Sequence, residues 1–110
     1  MTTEIGVVYY RIKPNTDELE ATWYASHLQQ KKTGSGIAKG DTSNGYPGAY
    51  TVTYFSPDGN KPVIFVLNIK KSGSIYELSW SKEEHVLFVG VGIETSDGLV
   101  AGWRPVDINS

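Results

Sequence analysis

No gap between the strand-like stretches of this 110-residue chain is long enough to hold a crossover helix, and that property restricts the fold more than any other. Parallel strands need such a connection, whereas antiparallel strands need only a turn. Turn signals recur where antiparallel pairing requires them. Pro57-Asp58-Gly59-Asn60 joins the fixed φ of proline to a glycine tolerant of positive φ, and Lys71-Ser72-Gly73 and Ser96-Asp97-Gly98 are short glycine-bearing turns. The runs between them are stiff and flat. Val, Ile, Thr and the aromatics fill 40 positions against 12 for Leu, Ala and Met, which suits a pleated sheet and excludes a helical bundle. Strands are expected over 5–13, 17–25, 28–38, 49–56, 62–70, 74–81, 85–95 and 98–104. The chain therefore reads as all-β, an eight-stranded antiparallel up-and-down barrel, because closure removes exposed sheet edges. The alternative is a β-sandwich of two four-strand sheets.

A single domain over 1–110 is expected, built from two four-strand repeats of about 5–57 and 62–105. Val7-Val8-Tyr9-Tyr10-Arg11-Ile12-Lys13 reads like Ile64-Phe65-Val66-Leu67-Asn68-Ile69-Lys70, and each run leads to a strand ending in tryptophan, Trp23 or Trp80. Gly34-Ser35-Gly36-Ile37 then corresponds to Gly90-Val91-Gly92-Ile93, and Phe55 to Trp103. The first copy is longer, and its extra residues fall in the loop-like Gly40–Gly48 stretch.

Alternation assigns faces. Leu19, Ala21 and Trp23 share one face of their strand, as do Tyr76, Leu78 and Trp80 of theirs. Gly34/Gly36 and Gly90/Gly92 read as bending positions that make room for the indoles. Two runs, Val63–Ile69 and Val86–Val91, are apolar on both faces. Their outer rows need cover, so self-association is expected through a patch of Ile64 and Val66 with Leu87 or Phe88.

Charge and composition exclude several functions. The formal net charge of −2 gives no footprint for duplex nucleic acid, and the absence of cysteine removes thiol catalysis and thiolate metal sites. No apolar stretch approaches the ~20 residues that span a bilayer. The first residues lack a basic n-region and an apolar h-region, so a cytoplasmic protein is expected, whether the chain is whole or part of a longer one. His27 and His85 stand far apart with no metal-ligand spacing, so neither metal nor cofactor is expected. Ser35 between two glycines lacks the strand-to-helix setting of a nucleophile elbow. Glu94 shares the face of Gly90 and Gly92 and is the best candidate for a buried acid, which a third reading, a barrel isomerase or cyclase, would need.

The aromatic set carries the functional reading. Trp23, Trp80 and Trp103, with Phe55, stand near the ends of inward-reading runs, and Thr51 and Thr53 lie close by. Tyr50, Val52 and Tyr54 form the opposite row of the fourth strand, and the pattern allows either row to face inward. An eight-stranded barrel is either filled by side chains or able to hold one small ligand. Aromatic walls with a few hydroxyls suit an apolar or planar molecule, with the Gly40–Gly48 loop expected to gate the mouth. The contrasting expectation is an oligomerising interaction module with a filled core; a non-enzymatic role is favoured in both.

Two four-strand units, with a tryptophan ending the second strand of each, resemble the calycin group of barrels: lipocalins, fatty-acid-binding proteins and avidins. The resemblance implies an up-and-down barrel that takes a small ligand at its open end. It is architectural only, since Gly6 is followed by Val7-Val8 where a lipocalin carries glycine-x-tryptophan. No family's functional residues transfer.

Overall fold

The computed structural model describes residues 4–106. They form eight strands: β1 (Gly6–Ile12), β2 (Glu18–Ala25), β3 (Gly34–Gly40), β4 (Gly48–Phe55), β5 (Val63–Ser72), β6 (Ile75–Lys82), β7 (His85–Glu94) and β8 (Leu99–Pro105). Each pairs antiparallel with the next, and β8 returns to β1, so the sheet closes into a barrel and not a sandwich. At the closing seam Gly6 faces Trp103, Val8 faces Ala101 and Tyr10 faces Leu99. No helix among the described residues is long and apolar enough to cross a membrane.

Alternation turns one row of every strand inward. Tyr10, Leu19, Val52, Leu67 and Leu99 are sealed from solvent in the middle of the barrel. β3 supplies only small residues there, Gly34, Gly36 and Ala38, all buried. The missing side chains are replaced by rings from the neighbouring strands. A Cβ on Gly34 would overlap the Trp23 indole, and one on Gly36 would come within 2.8 Å of the Tyr54 ring. Gly90 plays the same part beside Trp80, whose Cζ3 lies 3.2 Å from where a Cβ would stand.

β3 starts later than the sequence pattern suggests. Residues 28–33 form a connection, because Gln29-Gln30-Lys31-Lys32 offers no apolar row to bury and pairing with β2 begins only at Trp23 opposite Gly34. Leu28 at its start is nevertheless buried.

The hairpin order puts alternate connections at opposite ends. The loop between β3 and β4 therefore lies away from the end where β2 and β6 finish in tryptophan. This overturns the expectation that it gates the mouth. Its Tyr46 is buried, packs edge-to-face on Tyr76 at 6.4 Å, and accepts a 2.8 Å hydrogen bond from the Tyr50 hydroxyl on its carbonyl. Instead of gating an opening, the loop shuts its end of the barrel.

Candidate functional site

At the other end the inward rows of six strands finish in aromatic rings: Trp23 on β2, Tyr54 on β4, Phe65 on β5, Trp80 on β6, Phe88 on β7 and Trp103 on β8. Successive rings meet mostly edge to face. Centroids are 6.0 Å apart for Trp23–Tyr54, 6.1 Å for Tyr54–Phe65, 5.6 Å for Phe65–Phe88 and 5.3 Å for Phe88–Trp103. The positive edge of one ring against the negative face of the next fixes each orientation. These rings surround a cavity of about 150 Å³, completed by Val8, Ala25 and Val63 and rimmed by Glu4 and His27. The His27 imidazole contacts the Glu4 carboxylate there.

Inside that rim the polar groups are concentrated at one spot. The Trp80 indole N–H donates to the Tyr54 hydroxyl at 2.7 Å, and the Tyr54 and Tyr10 hydroxyls share a hydrogen bond. Tyr54 and Trp80 line the cavity, and Tyr10 lies behind them, fully buried. Burial pushes the Tyr54 phenol up to about 12, against its bonds to Tyr10 and Trp80, which favour the phenolate. Burial also raises Tyr10 well above the ordinary range. Both hydroxyls are therefore neutral across the physiological range. The Trp23 indole N–H is engaged elsewhere, donating to the Ser35 carbonyl at 2.9 Å.

Of the residues singled out from the sequence, Trp23, Trp80 and Trp103 are brought together around this cavity. Phe55, Thr51 and Thr53 are not. They occupy the outer row of β4, with Phe55 and Thr51 exposed, because Tyr50, Val52 and Tyr54 take the inner one. The Tyr54 hydroxyl is tied to the core by Tyr10 and Trp80, and a one-residue slip would break that tie and expose three large apolar side chains.

Phe88 is also corrected. It was expected on an outer patch, but it faces the cavity, sharing its side of β7 with Gly90 and Gly92. A bulge between Trp80 and Ser81 leaves Leu87 unpaired with β6, so that Val86 and Leu87 both reach solvent next to an inward Phe88. Ile64, Val66 and Leu87 do stand exposed on the outside.

Glu94 sits at the shut end, exposed, where it accepts a 2.5 Å hydrogen bond from the Tyr76 hydroxyl. That bond and burial hold the Tyr76 phenol up at about 12. Glu94 is thus neither buried nor near the cavity, because it ends its strand at the opposite end from the indoles. Among the described residues no three His, Cys, Asp or Glu side chains gather as a metal site would need.

Tyr54, Phe65 and Phe88 were missed as cavity walls. Parity was the available signal: Phe65 lies in step with Leu67 and Ile69, and Phe88 with Gly90. No protein-family model, curated protein or solved structure matches the chain.

Proposed function

We propose that this protein binds a small apolar or aromatic molecule in the cavity enclosed by Trp23, Trp80 and Trp103. One observation carries the reading: six aromatic side chains from six strands surround about 150 Å³ at one end of the barrel while Tyr46 shuts the other. Concave, largely carbon-walled sites with a few placed polar groups are the usual form of a small-ligand pocket. The volume sets the scale, since a dry cavity of about 150 Å³ accepts a molecule the size of benzene. The likeness to calycin barrels, which take ligands at an open end, supports the same reading at the level of architecture. The reading is of a binding protein.

Titration with cyclohexane, toluene and chlorobenzene, followed by indole fluorescence, tests it. Saturable changes are expected for at least one compound. No response from any of them would remove the proposal.

A second reading concerns the outside of the barrel. Val66, Ser81 and Val86 lie side by side across β5, β6 and β7, with Ile64 and Leu87 beside them, all four apolar members exposed. Such a row favours self-association through this face. Sedimentation at tens of micromolar should then give a dimer that Val66→Lys dissociates, and a monomer mass for the unmodified protein would contradict it.

A further inference from the structure

The cavity holds more hydrogen-bond donors than it can satisfy. Trp80 Nε1–H, Tyr10 O–H and Tyr54 O–H meet at one point, yet only two hydrogen bonds join them. Trp80 can only donate, so Tyr54 Oη accepts from it. Of the two phenols, one then donates to the other and one hydrogen is left over. Had Tyr54 given its hydrogen to Tyr10, the spare would be that of Tyr10, whose side chain is sealed from solvent and lies outside the cavity lining. A buried donor without a partner is expensive, so that arrangement is disfavoured. With Tyr10 donating to Tyr54, the spare hydrogen belongs to Tyr54, which is 9% exposed and faces the cavity.

The geometry points to Tyr54 as a specificity-determining residue: its hydroxyl donates to a hydrogen-bond acceptor on the bound molecule, so the ligand is a single-ring compound carrying a carbonyl or similar oxygen. This inference rests on the binding reading above and narrows it. The walls around Tyr54 are carbon and the phenol stays neutral, so the site favours an uncharged acceptor over a carboxylate. A carboxylate would lose its hydration with no lysine or arginine among the cavity walls to replace it, and the one imidazole at the rim, His27, is already paired with the Glu4 carboxylate.

Acetophenone and α-methylstyrene provide the test, because they have nearly the same shape and differ by oxygen against methylene. The quantity read is the ratio of their dissociation constants in unmodified protein, Tyr54→Phe and Tyr10→Phe, which cancels their unequal partition from water. Tyr54→Phe should shift the ratio against acetophenone by about three- to tenfold, the worth of a neutral hydrogen bond. Tyr10→Phe should leave it within about twofold. An unchanged ratio in Tyr54→Phe, or no binding of acetophenone to protein that binds toluene, would overturn the acceptor claim while leaving the pocket standing, whereas no binding of these two compounds or of toluene, cyclohexane and chlorobenzene would remove both. Should Tyr54→Phe fail to fold, the infrared carbonyl stretch of acetophenone bound to unmodified protein decides. A shift below its position in hydrocarbon solvent is expected, and no shift would overturn the inference.

Discussion

Single residues set the shape of this barrel by exchanging bulk between neighbouring strands. Tyr54 reaches the core because Gly36 leaves its place empty, and a methyl at Gly36 would meet the Tyr54 ring at 2.8 Å and the Thr53 carbonyl at 3.0 Å. Gly36→Ala should therefore cost about 1–3 kcal/mol in chemical denaturation, the usual penalty for overpacking. Tyr54 also couples stability to alkaline pH. An unfolded tyrosine titrates near 10, whereas native Tyr54 holds its proton to about 12. Between those values the unfolded chain has lost a proton that the native state keeps, so the contribution is complete below pH 10 and falls as the pH rises to 12. Stability measured across that window should decline, and Tyr54→Phe should flatten the decline by up to about 1.4 kcal/mol per pH unit.

Strands obey a parity that much of the sequence displays and part of it conceals. On β2 and β6 polar residues mark the outer row, and the inward indoles are legible from Glu20 beside Ala21 or Glu77 beside Leu78. On β4 both rows are apolar or hydroxylic, so the pattern of Tyr50 to Phe55 is equally consistent with either choice; on β5 only Asn68 and Lys70, late in the strand, mark the outer row. What decides β4 is a long-range bond, Tyr54 to Tyr10, which no local periodicity contains. On β5 we expect Leu67→Ala, in the sealed row, to cost about 2–5 kcal/mol, and Ile64→Ala, in the exposed one, to stay within about 0.5 kcal/mol. The bulge at Trp80/Ser81 hid Phe88 in a similar way, since Val86-Leu87-Phe88 has no polar residue to mark the break. The β6–β7 turn is a further case. Glu83 and Glu84 both take positive φ, 52° and 68°, the pairing of a tight hairpin that asparagine and glycine adopt at less cost. Replacing them with Asn-Gly should raise stability by about 1 kcal/mol in the same denaturation assay.

At the scale of the whole molecule, the antiparallel order makes the two ends unlike. Hairpin connectivity sends Tyr46 and Glu94 to one end and the indoles of Trp23, Trp80 and Trp103 to the other, and it does so irrespective of loop length. The eight strands and their antiparallel order were legible because turns and β-forming runs are local features. The cavity was only half legible, because tryptophan at a strand end is visible in sequence, while Tyr54, Phe65 and Phe88 depend on which way each strand faces. The proposed binding of a small ligand at the end bearing the indoles has a direct test. The chain has three tryptophans, so its ¹H–¹⁵N spectrum carries three indole N–H signals that report on that end directly. Titration with acetophenone should move the Trp80 indole signal saturably, along with backbone signals near Phe88 and Trp103, and leave those of Tyr46 and Tyr76 in place. Indole signals that stay fixed, or shifts confined to the outer face around Ile64 and Val66, would contradict it.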